Sequence, residues 1–226
     1  MSGRSQLIRR ELRATGADRR GTLLALHSDA ADSTELLPLC AALRGNFDVL
    51  APQAARSRNP FLSSASPDDP RWREYAGYSW FRRDAAGRPE PASFGDSLWQ
   101  IEQLVLELRE RGDGPVYLVG YRDGATLALG AALALPELLD GVVAIDGEFP
   151  EIPGWSERFS QPADLPVAEI RAGYTDPRGA AEAVVKFFEE RCGGSEDGRG
   201  RKQEADSQLL QADRQRQSEA SGSARR

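Results

Sequence analysis

The sequence predicts an α/β domain, a mostly parallel sheet with helices on both faces. Three observations carry this. Short apolar runs alternate with helix-spaced stripes from Gly21 to Arg191. The strand runs are continuous rather than alternating, as expected of strands buried on both faces. One helical stretch, Ala125 to Leu135, is almost wholly apolar and therefore has to lie inside. At 226 residues and 40% hydrophobic content, one domain with a substantial core is expected.

The elements follow in order. Leu7–Arg13 can supply an edge strand, and Gly21–His27, ending at the polar Ser28-Asp29, a buried one. Thr34 is placed to cap a helix through Leu36, Leu37, Leu39 and Leu43, with Pro38 near enough to its start to be tolerated. Gly45 stops that helix, and Phe47–Ala51, before Pro52, is the next strand. The stretch from Gln53 to Pro91 is long and polar but holds Trp72, Tyr75, Tyr78, Trp80 and Phe81, so part of it should fold back onto the domain. From Ser93 to Arg111, Leu98, Ile101, Leu104, Val105 and Leu108 fall on one helical face, with Glu102, Glu107 and Glu110 off it. Val116–Val119 reads as a strand, Gly120–Gly124 as a sharp turn before the apolar helix, and Asp140–Ile145 and Leu165–Ile170 as further strands. Arg178–Arg191 makes the final helix. The segment 193–226 has no aromatic residue, and Leu209 and Leu210 are its only large aliphatics; it is expected to be a disordered tail to a domain spanning 1–192.

Composition narrows the function. A net charge of −6 supplies no basic field for phosphates, so nucleic acid is not expected as a partner. Cys40 and Cys192 lie far apart and make no disulfide framework, which suits a reducing compartment. A single histidine, His27, excludes sites that need two imidazoles. Arg4, Arg9 and Arg10 precede no apolar run, so no signal peptide is read, and no stretch reaches the roughly 20 apolar residues of a membrane span. A cytoplasmic protein without metal or organic cofactor is the expectation; there is no phosphate-cradling glycine loop followed by lysine and no cluster of soft ligands.

The segment Val116-Tyr-Leu-Val-Gly-Tyr-Arg-Asp-Gly-Ala-Thr-Leu-Ala-Leu has the form strand, Gly-x-x-x-Gly, buried helix. That is the setting of a nucleophile elbow, where a serine is lifted above the sheet on a cramped turn. Leu26-His-Ser-Asp-Ala-Ala-Asp-Ser-Thr-Glu-Leu-Leu-Pro-Leu resembles the H-G-x-G-x-x-x-x-D-L-L-P-L segment of the phospholipase/carboxylesterase family of α/β-hydrolases, which is related to the acyl-protein thioesterases. Tyr78-Ser-Trp-Phe is similar to that family's Y-x-W-F element, Leu139-Asp-Gly-Val-Val-Ala-Ile to its next strand, and Gly173-Tyr-Thr-Asp-Pro to the G-x-x-D-P turn holding the triad acid. The resemblance runs from Gly21 to Pro177 with the motifs in order, and it implies an α/β-hydrolase-like fold shortened at its C-terminal end.

The chemistry departs from the family at each step. Arg122 stands where the family has its serine, and a protonated guanidinium is not an acyl-accepting nucleophile. Asp176 matches the triad acid, but no histidine follows it, whereas the order in this fold is Ser, Asp or Glu, then His. Ser28 replaces the glycine after the loop histidine, which alters the oxyanion hole.

Each candidate carries two readings. His27 could act as a base with Ser28 or Ser33 as nucleophile, or shape the loop as a structural imidazole, which is the preferred reading. Asp123 could be a carboxylate nucleophile, but it lies one position past the elbow and its ester would still need a base for release. Arg122, at a helix N-terminus that disfavours a cation, either pairs with Asp123 or Asp176 or presents its fork to a ligand anion. Trp80, Phe81 and Tyr78 either wall the same cleft or simply pack. Asp146 and Glu148 follow a strand end at the mouth of the sheet, where ligands bind in such folds. Cys40 belongs to the core pattern, and Cys192 has no activating neighbour in sequence. The reading that results is a catalytically inert relative of the carboxylesterases and acyl thioesterases, a pseudoenzyme acting as a binding or interaction protein, with a small anionic or acyl molecule as its candidate ligand. The alternative is an unorthodox serine-type hydrolase of small esters or acyl groups. A missing last strand would leave a sheet edge exposed, which predicts a homodimer along it or capping by the tail.

Overall fold

The computed structural model describes residues 7–58, 77–152, 155, 164–171, 173 and 177–192. The chain divides into two compact units, Met1–Val185 and Lys186–Arg226. In the first, the strands β1 (Arg9–Leu12), β2 (Gly21–Leu26), β3 (Phe47–Pro52), β6 (Val116–Tyr121), β7 (Gly141–Ile145) and β8 (Val167–Ile170) form one sheet in the order β1-β3-β2-β6-β7-β8. Only β1 runs antiparallel to its neighbour. A two-residue ribbon pairs β4 (Arg56–Ser57) with β5 (Tyr78–Ser79). The helices are α1 (Leu37–Ala41), α2 (Pro91–Glu110), α3 (Asp123–Ala134) and α4 (Ala181–Cys192), the last crossing from the first unit into the second.

Every residue of β2, β3, β6 and β7 is buried. Their continuous apolar runs are what a sheet covered on both sides requires. Leu24, Leu26, Leu50, Leu118 and Val142 share one core with Ile101, Leu104, Val105 and Leu108 of α2 and with Leu127, Ala128 and Ala131 of α3. The alternate residues Leu23, Val49, Val119 and Val143 point the other way and are equally buried. The fold is the predicted one: an α/β-hydrolase-like, mostly parallel sheet with helices. Among the described residues no helix is long and apolar enough to cross a membrane.

Several boundaries differ from the sequence reading, each for a local reason. Thr34 does not cap a helix. Asp32 Oδ1 takes both the Thr34 amide (2.7 Å) and its hydroxyl (2.5 Å), fixing a turn, and helical bonding begins only at Leu37. Helix α2 starts at Pro91, two residues before Ser93, because Glu90 caps it, accepting from Ala92 N (3.1 Å) and Ser93 N (2.8 Å) with Pro91 at the first helical position. Glu107, expected on the solvent side of that helix, is buried and accepts two hydrogen bonds from Arg9 of β1 at 3.0 and 3.1 Å. The edge strand expected near residues 7–13 is β1. Strand β8 is the outermost strand on its side among the described residues, and the tail expected over 193–226 lies outside them.

Candidate functional site

In a sheet ordered β3-β2-β6-β7, the connection after β2 leads to β3 on one side and the connection after β6 leads to β7 on the other. The switch point therefore lies between the carboxyl ends of β2 and β6, where open α/β sheets leave a crevice. The residues delivered there are His27 and Ser28 after β2, Tyr121 at the end of β6, and Arg122 and Asp123 after it.

The turn after β6 is built as an elbow. Arg122 has φ 49° and ψ −111°, a combination an L-residue adopts only under constraint. The constraint is visible in its surroundings. Arg122 N donates to Ile145 O at 2.8 Å, Thr126 N donates to Arg122 O at 2.9 Å, and helix α3 starts at the very next residue. At Gly124 a Cβ would collide with the Leu26 carbonyl, so strand and helix can meet only over glycine. The backbone thus presents residue 122 at the mouth of the sheet. What it presents is an exposed guanidinium, 4.9 Å from the centroid of the Tyr121 ring.

Asp123 is buried and pairs with Arg83 Nη2 through Oδ1 at 2.5 Å. Burial raises its carboxyl above the usual carboxylate range, and Arg83 pulls it part of the way back. Arg83 also donates to the Gly87 carbonyl at 2.6 Å, which fixes the fork over the crevice. This bridge separates two clefts. On one side a cavity of about 350 Å³ is lined by Arg122, Asp146 and Glu148 together with Arg88 and Glu151. On the other side, one of about 530 Å³ is lined by Arg56, Arg58, Arg82 and Asp29. Arg83 and Asp123 line both.

His27 is wholly enclosed and both of its ring nitrogens are engaged. The Ala54 amide can only donate, so Nε2 accepts it at 3.0 Å and the proton sits on Nδ1, which donates to Ser28 O at 2.7 Å. Burial depresses its pKa. Trp80 closes the other side, its ring tilted 34° to the imidazole at 5.0 Å and its indole N–H donating to His27 O at 2.8 Å. Trp80 is fully buried in the core, and Phe81 packs on Phe94 at 5.1 Å between centroids, so both serve as packing. Tyr78 is half-buried and ties down the loop after β2, its carbonyl accepting from Ala30 N at 3.1 Å and its amide donating to Ala31 O at 2.9 Å.

The loop that would face an acyl oxyanion is turned inward. Glu35 accepts the Ser28 amide at 2.6 Å and the Ser28 hydroxyl at 2.7 Å, and Ala31 N donates to Ser28 O at 3.4 Å. With Ala30 N spent on Tyr78, three of the loop's amides already have protein acceptors. Ser33 is buried beneath the same loop region. Asp146, at φ 51°, accepts from Gly173 N at 3.0 Å, and Glu148 lies 3.6 Å from Arg171. Cys40 is enclosed in the core, and burial pushes its thiol up to about 12, which removes it as a nucleophile at neutral pH. Asp176 and the side chain of Cys192 lie outside the described residues. Among the described residues no three His, Cys, Asp or Glu side chains are placed to hold a metal ion.

The sequence reading placed Arg122 and Asp123 at the site but missed Arg83 and Glu35. One signal was available. An aspartate one residue past the elbow opens a buried helix, and a buried carboxylate needs a donor. Arg83 lies two residues beyond the Tyr78–Phe81 element that folds over the site.

Neither a family model nor a curated protein sequence matches the chain. Solved structures do. A carboxylesterase from Mesorhizobium loti superposes with a TM-score of 0.56 at 19% identity, covering 84% of this chain and 86% of its own. Esterase PE8 gives 0.61 at 19% identity, covering 82% and 99%. YahD, solved with malic acid, gives 0.59 at 16% identity, covering 82% and 100%. The chain has the fold of these proteins.

Proposed function

We propose that this protein is a non-catalytic member of the esterase-type α/β-hydrolases, which keeps the crevice to bind a small ligand without cleaving it. The single observation that carries this is the elbow. The strained backbone that normally aims a serine is retained at residue 122, and the side chain on it is a guanidinium, which cannot take up an acyl group. Two further facts support the reading. The chain's one imidazole, His27, has both nitrogens committed within the protein, so it is not available to take a proton from a hydroxyl. The loop amides that would stabilise an oxyanion are turned to Glu35, Tyr78 and Ser28. A small carboxylate or phosphate is the favoured class of ligand over an acyl chain, because the crevice walls are charged. That YahD holds malic acid on the same fold is a precedent for an acid in such a protein.

A second reading, hydrolysis of small esters, is favoured by the company the fold keeps, since two of the three similar structures are esterases. Activity-based labelling separates the two. On treatment of the purified full chain with a fluorophosphonate, intact-mass spectrometry is expected to show unmodified protein. Stoichiometric addition at one hydroxyl would support hydrolysis and end the non-catalytic reading.

A further inference from the structure

The two clefts beside the Arg83–Asp123 bridge differ in charge. The elbow cleft carries Arg83, Arg88 and Arg122 against Asp123, Asp146, Glu148 and Glu151, and so is acidic on balance. The other cleft gathers Arg56, Arg58, Arg82 and Arg83; Arg56 pairs with Asp96, Arg58 with Asp29 at 3.5 Å and Arg83 with Asp123, which leaves the Arg82 charge in excess. In a chain of net charge −6, this concentration of guanidinium groups is local and opposes the overall field. We propose that this arginine basin binds a small hydrophilic dianion of the phosphate-monoester or dicarboxylate class.

Three features fit that ligand. The forks are held in place before anything binds. Arg56 donates to the Trp80 carbonyl at 2.7 Å and to Ser97 Oγ at 3.0 Å and pairs with Asp96 at 2.6 Å, while Arg83 is fixed by Gly87 and Asp123. Guanidinium groups ordered in advance lose less freedom when they close on an oxyanion. Arg82 is exposed, and its guanidinium makes no hydrogen bond or ion pair among the described residues. It is the fork with most donors to offer. Phe81 is the one apolar residue among the described lining, and it is 2% exposed, so an acyl chain finds no exposed apolar side chain to pack on. A volume of about 530 Å³ accepts a small metabolite rather than a bare ion alone. The two aspartates give hydroxyl groups of such a ligand an acceptor.

The inference rests on the reading that the protein binds its ligand, and it names where and what class. Titration calorimetry on the full chain at low salt tests it, with glucose 6-phosphate, malonate, acetate and octanoate as probes. One or both dianions are expected to bind at one site per chain, with no heat from acetate or octanoate. Which dianion binds assigns the class. Arg82→Ala is expected to weaken binding at least tenfold, and Arg88→Ala, in the elbow cleft, to leave it unchanged. Raising the salt from 50 to 200 mM is expected to weaken binding several-fold. The proposal fails if neither dianion binds at millimolar concentration. It fails equally if Arg82→Ala binds as the parent does, or if Arg122→Ala abolishes binding in its place. Calorimetry does not depend on turnover, so a protein that labelled with a fluorophosphonate yet bound a dianion here would lose the non-catalytic reading and keep this site.

Discussion

His27 and Arg122 set what this crevice can do, and each can be tested alone. His27 is the only histidine in the chain, so its imidazole signals in an NMR spectrum need no assignment. They are expected to report the Nδ1–H tautomer and to titrate below the ordinary histidine value of about 6.5, because burial disfavours the charged ring. The sign for stability follows. With the folded pKa below the unfolded one, the unfolded chain takes up the proton first. Stability is then full above about pH 6.5 and declines as the pH falls below it, by at most about 1.4 kcal/mol per pH unit for one proton. A urea-denaturation series from pH 8 to 5 measures this slope, and a flat profile together with a freely titrating imidazole would place His27 in solvent. His27→Ala is expected to cost about 2–4 kcal/mol, since it removes a packed ring and leaves the Ala54 amide without an acceptor.

At the scale of elements, one connection positions the site and another ties the edge strand to a helix. The elbow couples β6 to α3, and its tightest point is Gly124. Gly124→Ala is expected to lower stability by more than 2 kcal/mol, because the new methyl meets the Leu26 and His27 carbonyls rather than a mobile side chain. Differential scanning calorimetry reads the loss; an unchanged melting temperature would mean that the strand and helix are not in such close contact. Strand β1 is joined to α2 by Arg9 and Glu107, with Arg111 on the same carboxylate. Arg9 holds the Glu107 carboxyl below its ordinary value, with burial opposing. The folded pKa is the lower one, so the contribution is present at neutral pH and disappears as the pH falls through the folded value. Glu107→Gln is expected to cost about 1–2 kcal/mol at pH 7 and progressively less toward pH 3. The sequence pattern placed Glu107 off the apolar stripe of α2, which it is. Periodicity alone does not reveal that a strand nearly a hundred residues earlier covers that flank.

Across the whole molecule, what was legible in the sequence is what depends on local pattern. Continuous apolar runs located β2, β3, β6 and β7, because a strand buried on both faces leaves no room for polar alternation. The Gly-x-x-x-Gly spacing located the elbow, because close strand–helix contact excludes side chains at both ends. The polar architecture of the crevice was not legible. Glu35 gripping Ser28, and Arg83 reaching Asp123 across 40 residues of sequence, are pairings between common residue types, and only the folded chain selects the partners. The same holds for the arginine basin, which collects its forks from the ribbon of β4 and β5 and the turn after it in a chain with 29 lysines and arginines.

The proposed non-catalytic role stands on an elbow that carries a guanidinium in place of a hydroxyl, so ester turnover is its most direct test. Purified full chain and Arg122→Ser, assayed side by side against p-nitrophenyl acetate and butyrate with heat-treated controls, are both expected to match the controls. The serine variant places a hydroxyl on the strained turn, while both nitrogens of the chain's one imidazole stay engaged with Ser28 and Ala54. Turnover by the parent chain that is abolished by changing one of its own side chains would contradict the account, and so would rapid catalytic hydrolysis by Arg122→Ser.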